Sequence, residues 1–166
     1  MLGITKKPFY GAKAKVSDRS DLVHVADRAA LIKNILNQVI EDFCEPRRER
    51  CMFFWDVILD SSIMPMGSKV KVVSAIAQEL EFKLEKDALH QVMALRNAFA
   101  HHKTESHPVI SVGKAEEDSK IHYELHILSS SGKFSRKRRE DALSEFNNAF
   151  RGGRGRLDSF MRFIGD

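Results

Sequence analysis

The sequence predicts a mostly α-helical protein, a bundle of four to five helices with a β-hairpin inserted before the last long helix. Apolar residues recur every three or four positions between residues 20 and 102, which is the period of an amphipathic helix. After Pro108 the period changes to two, which is the period of a strand. Helical spacing returns from Leu143 onward, and the short connections between the helices favour a bundle.

Length and composition indicate one ordinary globular domain. The chain has 166 residues, 43% of them hydrophobic and 30% charged. Residues 1–19 show no periodicity and predict a flexible N-terminal arm, so that residues 20–166 form the domain. The net charge of +4 permits a phosphate-bearing partner without requiring one.

The expected compartment is the cytoplasm. Cys44 and Cys51 are too few for a disulfide framework, and we expect them to be small buried apolar groups. The first 15 residues contain no apolar signal region, and no stretch approaches the ~18 apolar residues of a membrane span. We therefore expect no membrane contact.

Four helices are predicted before Pro108. The first has Ser20 as its N-cap, and the second opens at Pro46, a residue that suits a first helical turn. Ser68 is predicted to cap the third, and the fourth begins near Glu85. The apolar stripe of the first helix comprises Leu22, Val25, Ala29, Ile32, Leu36, Val39 and Phe43, and that of the second comprises Cys51, Phe54, Trp55, Ile58 and Leu59.

The hairpin and the last helix follow. Residues 109–112 and 121–127 are the predicted strands, within a hairpin at about 108–128. Because a hairpin alone is only marginally stable, we expect it to pack against the helices. The last helix is predicted to continue through Gly152 and Gly153, where a buried glycine would let another backbone approach closely; a break at the two glycines is the alternative.

The fourth helix ends in the run Arg96-Asn97-Ala98-Phe99-Ala100-His101-His102. At about 100° per residue, Asn97 and His101 lie nearly opposite the apolar stripe, and Arg96 lies about 140° from His101. The arginine and the histidine therefore converge only near the helix end or across a pair of helices. If two copies pack these faces around a two-fold axis, Arg96, Asn97 and His101 of both chains line one cleft.

Such a cleft suits phosphodiester cleavage without a metal or another cofactor. Histidine transfers protons near neutral pH, and a guanidinium stabilises charge that develops on phosphate oxygens. The structural alternative is that Arg96 and His101 satisfy the last carbonyls of the helix and its negative end.

Arg96-Asn97-x-x-Ala100-His101 resembles the Arg-x4-6-His signature of the HEPN superfamily. With Met66-Gly67-Ser68-Lys69-Val70-Lys71 opening a helix, the chain looks like the mannitol-repressor-like (MtlR-like) branch over residues 22–102. The resemblance implies a HEPN-like helical bundle, a homodimer with motif helices at its interface, and in many members a metal-independent endoribonuclease. By resemblance, Arg96 would stabilise the phosphorane, Asn97 would orient the imidazole or phosphate, and His101 would be general acid or base.

Two further groups are candidates for binding. His122, Glu124 and His126 alternate onto one strand face and have metal-ligand side chains, but same-face residues lie ~6.7 Å apart, so a solvated face is the preferred interpretation. The basic run containing Arg136, Lys137, Arg138 and Arg139 is a candidate contact with an RNA backbone, and a solvated helix face is the preferred interpretation.

Two functions remain open at this point. The first is a homodimeric endoribonuclease or RNA-binding protein, including a toxin held inactive by an antitoxin. The second is a non-catalytic MtlR-like regulatory module, in which the motif stabilises the dimer and another surface binds a partner protein.

Overall fold

The computed structural model describes residues 16–101, 108–111, 120–129 and 131–165, and it confirms the mostly helical class. In chain order the elements are α1 (Val16–Cys44); α2, a helical segment made of a 3₁₀ turn (Arg48–Arg50), an α-helical turn (Cys51–Phe53) and a π-helical turn (Phe54–Ile58); α3 (Met66–Glu79); α4 (Asp87–His101); β1 (Pro108–Ser111); β2 (Lys120–Leu128); β3 (Phe134–Arg138); and α5 (Arg139–Gly165). No helix within these ranges combines the length and apolarity needed to cross a bilayer.

Helix α1 begins earlier than predicted. It starts at Val16, so Ser20 lies inside the helix and the prediction of Ser20 as N-cap is wrong. Once a helix is nucleated, each added residue gains a backbone hydrogen bond, and neither proline nor glycine lies between Val16 and Cys44 to stop it. The predicted stripe is buried from Val25 to Val39, but Phe43 near the C-terminal end is 41% exposed, and Ile40 is buried instead.

Segments α2 and α3 also differ from the prediction at their starts. Pro46 lies outside α2, whose first turn begins at Arg48, and Pro65 rather than Ser68 is the N-cap residue of α3. Proline fixes a φ that suits this position, whereas Ser68 lies within the helix. Of the predicted apolar stripe of α2, only Leu59 is fully buried.

The strands form an antiparallel sheet of three strands in the order β1-β2-β3. Residues 120–123 of β2 pair with β1, and residues 124–128 pair with β3, so two hairpins share one long strand. The predicted hairpin is therefore present, and β3 was not predicted. As expected, the sheet packs on the helices: β2 contacts α4, and Leu125 and Ile127 are buried.

Helix α5 runs unbroken through Gly152 and Gly153, which confirms the preferred prediction. Gly153 is buried, and a Cβ atom placed there would lie 2.9 Å from Leu89 Cδ2 on α4. Carbon atoms in good contact are ~3.5–4.0 Å apart, so a larger residue at this position would require the Leu89 side chain to shift. Helix α5 also packs against α1, which in turn contacts α3 and α4.

Candidate nucleic-acid site on α4

Helix α4 presents the predicted faces. Its core side buries Leu89, Val92, Leu95, Ala98 and Phe99. Arg96, Asn97 and His101 are exposed, whereas His90 and Ala94, predicted on the face opposite the core, are half-buried. The three motif side chains are therefore accessible from solvent, and His102 lies outside the described residues.

Within the described chain, Arg96 contacts Asn97 but not His101. The Arg96 guanidinium donates a hydrogen bond to Asn97 Oδ1 at 3.1 Å. No hydrogen bond among the described residues joins His101 to either of them, which agrees with the angle between Arg96 and His101 on a straight helix. Neither Arg96 nor His101 donates to a described backbone carbonyl, so the described contacts do not show the carbonyl capping of the structural alternative. His101 does lie in the last turn of α4, the position that this alternative requires for a positive group at the negative helix end.

Arg96 and Asn97 also line a cleft between α1, the start of α3 and α4, named here the α1–α3–α4 cleft. Its volume is about 410 Å³. Lys33 of α1 lines it as well, and small residues, among them Ala30 and Gly67, form much of the remaining wall. His101 does not line it. Lys33 was not predicted as a site residue, because no local pattern in the sequence indicates that this position of α1 lines the same cleft as Arg96.

A fully buried lysine lies behind this region. Lys69 of α3 is 0% exposed, and its ammonium donates a hydrogen bond to the carbonyl of Leu59, at the end of α2. Burial lowers the pKa of Lys69, the charge on Lys33 lowers it further, and Asp60 opposes both. The pKa of Asp60 is itself lowered, chiefly because the Ser62 hydroxyl and amide donate to its carboxylate. Lys69 thus anchors α2 to α3 at an electrostatic cost.

The basic run predicted to bind RNA belongs partly to β3 and partly to the start of α5. Lys137 is half-buried and forms an ion pair with Glu145, and Arg139 pairs with Asp21 at 3.0 Å. Arg136 and Arg138 alternate with them and are exposed. The surface around these two residues also includes the carboxylates of Glu124, Asp141 and Glu145. Of the four predicted residues, Arg136 and Arg138 are those whose position leaves them accessible to a phosphate backbone.

The other ligand-type side chains do not form a cluster in the described chain. No three histidine, cysteine, aspartate or glutamate residues among the described positions lie close enough to hold a metal ion, and the side chain of His122 is not among those described. The ring of His126 makes an edge contact with Phe134, with 5.4 Å between centroids.

The prediction that both cysteines are buried is wrong. Cys44 is exposed at the end of α1, and Cys51 is half-buried, because α2 covers little of this end of the bundle. The Cys51 thiol donates to Glu41 Oε1 at 2.7 Å, and this bond, followed by burial, raises the pKa of Cys51.

The chain matches no protein-family model, no curated protein and no solved structure.

Proposed function

We propose that this protein is a homodimeric, metal-independent endoribonuclease of the HEPN type, with Arg96, Asn97 and His101 as its catalytic residues. One observation carries the proposal: Arg96 and Asn97 are exposed, joined by a hydrogen bond, and border a cleft whose described wall contains no carboxylate, while His101 is exposed one helical turn beyond Asn97. A cation, an amide and an imidazole on one accessible helix end are the groups needed to handle a phosphodiester.

The proposed reaction is transesterification within the RNA strand. The ribose 2′-oxygen attacks the adjacent phosphorus, and an imidazole takes the proton of the 2′-hydroxyl. The bond from phosphorus to the 5′-oxygen then breaks, and an imidazolium gives this oxygen a proton. The products are a 2′,3′-cyclic phosphate and a 5′-hydroxyl. Arg96 stabilises the charge on the phosphorane, and Asn97 holds the Arg96 guanidinium in position.

Two copies of α4 complete the site. Because Arg96 and His101 point about 140° apart on one straight helix, a single chain does not direct both at the same phosphate. A two-fold axis between the exposed faces of two α4 helices brings the arginine of one protomer towards the histidine of the other. It also supplies two imidazoles, one to take a proton and one to give it.

The experiment combines cleavage with oligomeric state. Mixed RNA is incubated with wild type, Arg96→Ala, His101→Ala and the control Arg162→Ala in EDTA, and light scattering gives the mass of each protein. Arg162 is an exposed arginine on α5, outside the site. We expect wild type and the control to cut RNA and the two motif variants to lose ~10²–10⁴-fold in rate. A folded, dimeric wild type that leaves RNA intact refutes the nuclease activity. A monomeric wild type refutes a site formed between two copies of α4.

A second candidate function is supported by a different surface. The segment around α2 exposes three large apolar side chains, Met52 (78%), Phe53 (60%) and Ile63 (60%). Arg47 and Arg50 border the groove beside Phe53. An apolar groove flanked by arginines fits an acidic amphipathic helix of a partner protein, either an antitoxin or a regulatory target.

This alternative makes the motif a dimer contact rather than a catalytic site. It predicts that wild type leaves RNA intact, that Arg96→Ala or His101→Ala dissociates the dimer, and that Phe53→Ser reduces binding of the partner. Retention of the dimer by both motif variants would contradict it.

A further inference from the structure

The α1–α3–α4 cleft contains two cations that form no ion pair with a described carboxylate. Lys33 and Arg96 both line it, and neither is within ion-pair distance of an aspartate or glutamate among the described residues. The inward-facing cations of the basic run behave differently, since Lys137 pairs with Glu145 and Arg139 with Asp21. Two positive charges in one concave surface, neither of them in an ion pair with a described carboxylate, favour an anion.

The remaining polar groups of the cleft are mostly hydrogen-bond donors. Asn97 uses its Oδ1 to accept from Arg96, which leaves the two N–H groups of its amide. At the start of α3, the amides of Ser68 and Lys69 donate to Pro65, whereas those of Met66 and Gly67 have no acceptor among the described residues. Both of these residues line the cleft. An anion with several acceptor oxygens matches such a set of donors.

The wall leaves room for such a ligand. Ala26, Ala29 and Ala30 supply the α1 side of the cleft, and a Cβ atom built on Gly67 meets nothing within 4 Å. Asp60, whose pKa the charge on Lys33 helps to lower, does not line the cleft, and its carboxylate accepts from Ser62. The described wall of the cleft therefore presents the charge of Lys33 without a carboxylate beside it.

We propose that the α1–α3–α4 cleft binds a phosphate monoester through Lys33 and Arg96, with hydrogen bonds from Asn97 and the amides of Met66 and Gly67. A monoester carries about −1.5 to −2 charges near pH 7, which matches two cations better than the single charge of a diester. The proposal that phosphate binds here depends only on the residues of the cleft. The identity of the ligand as a 5′-phosphorylated RNA end rests on the proposed function, because Arg96 and Asn97 belong to both sites.

The test compares RNA that differs only in its 5′ end. In the His101→Ala protein, which lacks the proposed acid–base group and leaves the cleft wall intact, Kd is measured by anisotropy for a 3′-labelled oligoribonucleotide with a 5′-phosphate or a 5′-hydroxyl. Calorimetry measures the binding of inorganic phosphate and of adenosine 5′-monophosphate to wild type. We expect the 5′-phosphate to tighten binding by about tenfold or more, as one charge-assisted contact does.

Paired variants locate the effect. Lys33→Gln is compared with Lys71→Gln, which removes an exposed lysine of α3 outside the cleft. Gly67→Glu, which adds a carboxylate at an open position of the wall, is compared with the uncharged Gly67→Gln. We expect Lys33→Gln and Gly67→Glu to abolish the preference for the 5′-phosphate, and the two controls to keep it. Circular dichroism verifies that each variant is folded.

The outcomes separate this inference from the nuclease proposal. Equal affinity for the two RNAs, together with no binding of free phosphate or nucleotide, refutes phosphate binding in the α1–α3–α4 cleft even if wild type cuts RNA. A preference that survives Lys33→Gln also overturns it. If wild type binds RNA in a phosphate-dependent way but leaves it intact, the result supports phosphate binding in the cleft and refutes the nuclease activity. Binding of the free nucleotide as tight as that of phosphorylated RNA supports the monoester site and overturns its assignment to an RNA end.

Discussion

Replacing Gly153 by alanine tests whether the close contact between α4 and α5 is needed for stability. The added Cβ would lie 2.9 Å from Leu89 Cδ2, and because Leu89 is 0% exposed its side chain must shift within the packed core to relieve the clash. Overpacking of this kind costs ~1–3 kcal/mol. Alanine also returns ~1 kcal/mol, because glycine is a poor helix former. We therefore expect Gly153→Ala to lower the free energy of unfolding by roughly 0–2 kcal/mol.

A matched substitution separates these two contributions. Gly155 lies on the exposed side of the same helix, and a Cβ atom there meets nothing within 4 Å. Gly155→Ala should therefore raise stability by up to ~1 kcal/mol. The two variants should differ by ~1–3 kcal/mol, or roughly 2–12 °C in Tm for a chain of this size. Urea and thermal unfolding measure both, and equal stabilisation by the two substitutions would refute the close-contact argument.

Three further predictions concern charge and hydrogen bonding away from the cleft. Burial lowers the pKa of Lys69 below its ordinary 10.5, so between the folded-state pKa and 10.5 the unfolded chain binds more protons. The unfolding free energy of wild type should therefore rise relative to that of Lys69→Met as the pH is raised from 7 towards 10.5, as measured by urea unfolding. Because the pKa of Cys51 is raised, its thiol should react with a disulfide reagent at pH 8 more slowly than the exposed thiol of Cys44. Glu41→Gln should increase the reaction rate of Cys51. Mass spectrometry of the labelled thiols measures both rates. Asn147→Ala should lower the unfolding free energy by ~1–3 kcal/mol, since it leaves two side-chain donors of α1 without their acceptor.

Each of these predictions has a control. A parallel pH dependence of wild type and Lys69→Met would show that this lysine keeps its ordinary pKa when folded. For the thiols, a Cys51 that reacts as fast as Cys44 in wild type would contradict the Glu41 hydrogen bond. For Asn147, the control is Asn148→Ala, an exposed neighbour on α5 that should change stability by no more than ~0.5 kcal/mol.

The faces of α4 were predictable because hydrophobic periodicity reports burial directly. Leu95 and Phe99 are buried while Asn97 and His101 are exposed, as the helical projection predicts. The start of α1 was not predictable in the same way, because the three-four spacing of apolar residues in the sequence begins only at Leu22. Periodicity identifies the amphipathic part of a helix, and it does not fix the residue at which the helix begins.

Strand β3 and the cleft were missed for two different reasons. In β3, the alternation is between exposed and half-buried basic residues, so a hydrophobicity pattern does not identify Arg136 and Lys137 as lying on opposite faces of a strand. The cleft depends on the packing of three helices that are far apart in the chain. Lys33, Gly67 and Arg96 come together only after α1, α3 and α4 have assembled, and no local pattern encodes that proximity.

The packing of α5 against α1 affects the order in which the protein can fold during synthesis. Asn147 accepts hydrogen bonds from His24 and Arg28, and Arg139 pairs with Asp21, so contacts that hold the two helices together span almost the whole described chain. A nascent chain that ends before Arg139 has made α4 but has nothing to cover the side of Leu89 that packs on α5. The motif helix therefore reaches its final environment only after α5 has left the ribosome, and until then the part of its apolar face that packs on α5 is open to chaperones and to aggregation.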